Sequence, residues 1–258
     1  MAPHLAQMCI KGRNMISNKT LFSAAMAGLA FIGPVYAQDR NFDLAGFTGI
    51  DIANGITAKV TQASTFSVTA NAQNPDALDK LRIEVLDGVL VARLDTSFAD
   101  FVLSGGIIGL LKHGSNAITV DIELPALDSA EVSSGAKIAL HEITASTLVL
   151  DASSGARLEL PDASVEQLTA RTTSGSTMTL SGNADAINLD ASTGSDIHAD
   201  GLEANDGTLE ASSGAVVHAR LSSKVRASAS SGGVITVEGN PEHRDTTSTG
   251  GGAVHIAQ

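Results

Sequence analysis

Carboxylates recur at a fixed offset along the second half of this chain. Glu131, Asp151, Asp190 and Glu210 each stand four residues before the glycine of a Ser/Thr-Ser/Thr-Gly phrase, and Arg171, Ser228 and Thr246 hold the same place elsewhere. If each phrase closes one repeat, these side chains form one outward column in which Asp190 adjoins Glu210 and Glu131 adjoins Asp151. Carboxyls paired in this way could serve as general acid and base on a polysaccharide, or share a Ca²⁺ ion. The plainer reading is a solvated face, because Arg171 interrupts the column and no Gly-Gly-x-Gly-x-Asp calcium repeat occurs. Four residues after the glycines, His198 and His218 occupy adjacent repeats, and His255 could share their column. Two neutral imidazoles about 4.8 Å apart could hold a transition metal if Asp196, Asp200 or His255 supplied a third ligand; otherwise they are surface histidines. The many serines invite a nucleophile reading, but no Gly-x-Ser-x-Gly elbow precedes a helix.

What positions these residues is the phrase itself. Its glycines are Gly135, Gly155, Gly175, Gly194, Gly214, Gly232 and Gly250, spaced by 20, 20, 19, 20, 18 and 18 residues. A fixed period of this size marks a stacked-repeat architecture. Within each unit, apolar residues alternate on both sides of the glycine. Ile138/Leu140, Leu158/Leu160 and Met178/Leu180 follow it, and Leu150/Ala152, Leu189/Ala191 and Leu209/Ala211 precede it. Period-2 alternation predicts two strands per unit, with too few residues left for a helical crossover. The chain is therefore expected to be all-β: a flattened parallel β-solenoid with two strands per 18–20-residue rung over residues 118–258. The glycine gives the corner its backbone freedom, and the neighbouring hydroxyls are expected to bond local backbone groups there. The six-residue period of hexapeptide acyltransferases is absent. Around His243–Thr247 the apolar positions turn polar, which predicts a fraying terminus that protects the open edge.

Residues 38–117 do not repeat and read as an N-terminal β-rich cap region. Short alternating runs surround Asn54-Gly55, a helical turn is expected from Pro75, and Asp87-Gly88 predicts a hairpin. Within this region, residues 98–114 are apolar and glycine-rich. Phe98, Phe101, Ile107, Ile108, Leu110 and Leu111 either cover the end of the solenoid or form an interaction patch.

The first 37 residues read as a secretory leader. Lys11, Arg13 and Lys19 precede the apolar run from Leu21 to Pro34, and Val35-Tyr36-Ala37 offers a cleavage site; Met15 to Ala37 is already complete as a leader. Cys9 falls inside the leader, so the expected mature chain has no thiol and no disulfide. Removing the three basic residues leaves thirteen basic against twenty-eight acidic, a net charge of −15. Such a surface repels nucleic acid and anionic lipid. No later stretch is long and apolar enough for a transmembrane helix. After Phe101 there is no Phe, Tyr or Trp, so the aromatic platform common in sugar-cleaving grooves is missing.

The block Phe47-x-x-Ile50-x-Ile52-x-x-Gly55-Ile56, with Asp87-Gly88-x-Leu90 downstream and the glycine-turn repeats after it, resembles the head GIN domain family, also described as putative auto-transporter adhesins. The resemblance covers roughly Phe42 to Gly250. It implies a right-handed parallel β-solenoid, an exported bacterial protein and an adhesive or binding role, and it brings no catalytic residues. The residues after the solenoid are too few for a membrane barrel, so the chain is not expected to transport itself. The expected function is a non-enzymatic cell-envelope binding module, periplasmic or on the surface, that needs no cofactor and meets an envelope or surface ligand. Two alternatives stay open. One is a polysaccharide-active enzyme using Asp190 and Glu210. The other is a structural protein forming homo-oligomers through residues 98–114 or the C-terminal edge.

Overall fold

The computed structural model describes residues 38–72, 75–95 and 117–257. Five early strands and a short helix come first: β1 (Gln38–Phe42), β2 (Gly49–Ile52), β3 (Thr57–Gln62), β4 (Ser67–Ala72), α1 (Pro75–Asp79) and β5 (Leu81–Leu86). Next come β6 (Val89–Leu94), β7 (Ile118–Leu124), β8 (Ser129–Val132), β9 (Lys137–His141) and β10 (Ile143–Ala152). Long bent strands follow: β11 (Arg157–Thr172), β12 (Thr177–Ala191), β13 (Asp196–Ala211) and β14 (Val216–Ala229). The chain ends in β15 (Val234–Glu238), β16 (His243–Ser248) and β17 (Ala253–Ile256).

The strands stack in parallel as a β-solenoid. One face runs β6, β2, β8 and then the C-terminal parts of β10 to β14, ending in β16. The face beyond the glycine corner runs β7, β3, β9, the N-terminal parts of β11 to β14, β15 and β17. The apolar alternation sets this register. Leu158, Met178, Ile197, Val217 and Ile235 form one inward ladder, and Leu150, Ala170, Leu189, Leu209 and Ala227 another, all at most 2% exposed. Slipping one strand by a residue would turn its whole inward set to solvent. Each fully buried Leu contributes about 1.5–3 kcal/mol through area removed from water.

Between the two expected strands of a rung, the chain stays paired through a third, shorter face. In β11 the burial pattern breaks at Pro161-Asp162 and at Glu166-Gln167, and Ala163 and Val165 point inward between those breaks. Leu202 and Ala204 do the same in β13. Each of these rungs therefore has three inward stretches and three corners.

The early strands cap one end. The rung made by β2 and β3 lies inside the rung made by β6 and β7, which come later in the chain. Beyond that outer rung the pairing turns antiparallel: β4 on β7, β1 on β4 and β5 on β6. Ending a parallel stack in short antiparallel strands closes off its hydrogen-bonding edge. Phe47, fully buried, packs against Phe66 with ring centroids 5.0 Å apart.

At the other end the expected fraying is replaced by a formed rung. β16 pairs with β14, and β17 pairs with β15. Arg244, Thr246 and Ser248 stand opposite Val225, Ala227 and Ala229, so this side of the core ends on polar side chains. Backbone pairing holds the strand, helped by the Arg226–Asp245 ion pair at 3.3 Å. Val254 and Ile256 continue the other inward ladder, half-buried, with no rung beyond them among the described residues.

Candidate functional site

The recurring phrase forms a stack of identical turns. Ser134 and Gly135 have φ of 53° and 71°, and the same left-handed pair recurs at Ser154-Gly155, Ser174-Gly175, Thr193-Gly194, Ser213-Gly214 and Ser231-Gly232. With the Ala136 N–H donating to the Ser133 carbonyl at 3.1 Å, this is a type I′ turn. Asn54-Gly55 makes the same turn one rung earlier, so the N-terminal region already obeys the repeat. The turns are also linked to each other. Gly55 N–H donates to Ser134 O, Gly135 N–H to Ser154 O, and Gly155 N–H to Ser174 O, at 3.0–3.1 Å. The corner is thus closed by backbone bonds rather than by the Ser-Ser hydroxyls. Hydroxyl bonds to backbone come from the buried residue after the glycine. Ser176 Oγ donates to Ala152 O at 2.8 Å, and Ser195 Oγ donates to Ser192 O at 2.7 Å. At the last corner the register moves by one: Gly250 takes the serine position and Gly251 the glycine position.

The acidic column exists and is longer than its spacing implied. Asp51, Glu131, Asp151, Arg171, Asp190 and Glu210 follow one another on adjacent strands. Asp51, missed in the sequence, stands four residues before Gly55 just as the others stand before their glycines. It is 9% exposed and pairs with Arg93. Desolvation pushes the Asp151 carboxyl up, with Arg171 pulling the other way. Glu131 is also pushed up, first by desolvation and then by the like charges of Asp51 and Asp151. The register shift puts Thr247, not Thr246, at the end of the column beside Ser228. Asp190 and Glu210 project side by side from one sheet.

His198 and His218 are in register and stack, with ring centroids 5.5 Å apart and planes 12° from parallel. The rings face each other instead of converging on one point. His255 lies in the same column beyond Thr236. Among the described residues, no three His, Cys, Asp or Glu side chains are grouped to hold a metal ion. Phe98, Phe101, Ile107, Ile108, Leu110 and Leu111 lie outside the described residues.

A concavity among the described residues was not anticipated. A groove of about 790 Å³ runs along the third face, parallel to the solenoid axis. Its floor runs over Ala145, Val165, Ala184, Ala204 and Leu221, and all but the half-buried Ala145 turn their side chains into the core. One wall is Thr144, Ser164, Asn183, Glu203 and Arg220, and the other is Ser146, Glu166, Asp185, Asn205 and Ser222. At the C-terminal end, Arg220 pairs with Glu238 at 2.8 Å and Ser222 Oγ donates to Asn205 Oδ1 at 3.1 Å. At the other end the Thr144 N–H donates to Gln62 Oε1 at 2.8 Å. Between them, the side chains of Ser164, Glu166, Asn183, Asp185 and Glu203 have no hydrogen bond or ion pair among the described residues. The one sequence signal was the drift of the period between 18 and 20 residues. The irregularities in pairing fall on this face, between Leu160 and Ala163, Thr179 and Ser181, and Ala199 and Glu203.

These features define a parallel β-solenoid with a polar-walled groove along its third face. The chain belongs to the family described as "Putative auto-transporter adhesin, head GIN domain", whose profile matches residues 46–241. Among solved structures it is similar to a putative adhesin from Bacteroides fragilis, at 16% identity and TM-score 0.74, covering 86% of this chain and 97% of that one. It is also similar to a putative adhesin from Parabacteroides merdae (14%, TM-score 0.65, 88% and 98%) and to a putative lipid binding protein from Parabacteroides distasonis (12%, TM-score 0.64, 88% and 98%). At such identities the likeness establishes the fold. No curated protein matches the chain.

Proposed function

We propose that the protein is an exported, non-enzymatic module of the bacterial cell envelope that binds a surface ligand through the third-face groove. The observation that carries this reading is the pair of groove walls whose central polar side chains have no partner among the described residues. A polar group held on a rigid sheet and left unpaired loses little on exchanging water for a ligand. Membership of an adhesin-described family and the leader read at residues 1–37 support it. The test is co-sedimentation of purified protein with bacterial envelope fragments, with the supernatant assayed for released sugars. Saturable retention without soluble product is expected. Product release that disappears in Asp190→Ala would replace this reading with the polysaccharide-active enzyme. A structural, self-associating role draws on the half-buried Val254 and Ile256 at the last rung; light scattering of the purified chain separates it from the binding role.

A further inference from the structure

We infer that the third-face groove takes a linear glycan segment, neutral or amine-bearing, laid along the solenoid axis. This rests on the groove being the binding surface. The groove crosses five rungs, from Thr144 to Arg220. At about 4.8 Å per rung that is roughly 19 Å of rigid track. Its walls offer one polar side chain per rung on each side, so a fitting ligand repeats at close to the rung spacing. The sugar units of an extended pyranose chain do so. An extended peptide advances about 3.3 Å per residue and presents like side chains at twice that, out of step with the rungs.

The chemistry of the lining agrees with the spacing. Carboxylates and amides are planar groups that engage adjacent hydroxyls of a sugar ring. Glu203, Glu166 and Asp185 accept two hydroxyl protons each, and Asn183 donates and accepts. The floor between the walls is low, because Val165, Ala184, Ala204 and Leu221 turn their side chains into the core and are at most 7% exposed, which leaves room for a sugar ring between the two columns. Charge narrows the class further. Three carboxylates line the walls against one guanidinium, and that guanidinium is already paired with Glu238. A polyanion is repelled, whereas amino groups are attracted. An acyl chain would bury the unpaired carboxylates without compensation. A peptide cannot add to the sheet here, because the strands beneath the groove are already paired on both sides.

The test is calorimetric titration of the purified full chain with four hexameric probes: cellohexaose, the β-1,4-linked glucosamine hexamer, oligogalacturonate and hexalysine. The first two are expected to bind saturably, and the other two are not. The double variant Asn183→Ala/Glu203→Ala should weaken glycan binding about tenfold or more, while Glu159→Ala, exposed on another face, should leave it unchanged. Glu203→Lys should lower affinity for the glucosamine hexamer and admit oligogalacturonate. Equal binding of oligogalacturonate by the wild type, binding of hexalysine in place of the glycans, or glycan binding that survives the double variant would overturn the inference. If both glycans fail while envelope fragments are still retained through the groove, the glycan assignment falls and the binding module stands. If the fragments are not retained either, both fall.

Discussion

At each corner, two consecutive residues adopt the left-handed conformation, and only the second is regularly glycine. A Cβ at Gly155 would meet nothing within 4 Å, so its requirement is conformational. Gly155→Ala should cost about 1–2 kcal/mol, and Gly155→Asn less, because Asn tolerates this region. Gly182 is different. It sits at φ 117° where β12 crosses β11, and a Cβ there would lie 2.3 Å from the Ala163 carbonyl oxygen. Backbone cannot give way as a side-chain tip can, so thermal melts should show a larger loss for Gly182→Ala than for Gly155→Ala. Comparable losses would argue against the close approach. The acidic column predicts a pH effect. The Asp151 carboxyl is raised from its ordinary 3.8 mainly by desolvation, so the folded state holds this proton more tightly than the unfolded state. The resulting cost to stability is present above the folded value, shrinks as pH falls, and is gone below 3.8. Asp151→Asn should therefore raise Tm at pH 7 by roughly a degree or two, partial exposure keeping the gain small. The gain should vanish in acid; a Tm that falls at pH 7 would contradict the assignment.

Among the elements, the inward ladders carry stability and the third face carries variation. Leu189 is fully buried between Ala170 and Leu209. Leu189→Ala should cost about 2–5 kcal/mol, whereas the exposed Asn188→Ala should stay within about 0.5 kcal/mol in denaturant titration. The two long faces were legible in the sequence because alternation and a glycine at nearly constant spacing both point to them. The third face was not. Its strand is three or four residues long, too short for alternation to show, and doubled exposed residues such as Pro161-Asp162 and Glu166-Gln167 read as a turn. The columns also drift out of step there: Ser164, Asn183 and Glu203 stand nine, eight and nine residues after their glycines. Asp51 was hidden for a different reason. Its turn is Asn-Gly rather than Ser-Gly, and the next strand on its face comes from 80 residues further along. The hydroxyl phrase drew attention to the corners, where the structure shows backbone bonds closing the turn instead.

Over the whole molecule, the two ends of the stack are unlike. One is covered by antiparallel strands and the other stops at β16 and β17. Ending the chain after Asn240 would uncover Ala227, Ala229, Ile235 and Val237, all at most 1% exposed in the intact chain. The shortened protein should self-associate in light scattering at concentrations where the full chain does not. Between those ends the solenoid is a rigid scaffold whose faces can be tested one against another. Wild type, Asn183→Ala/Glu203→Ala and Asp190→Ala/Glu210→Ala would be compared for retention on envelope fragments at equilibrium. The groove reading predicts saturable retention by the wild type and by the acidic-column variant, and its loss in the groove variant. Retention that survives the groove substitutions but fails with the acidic column would contradict it.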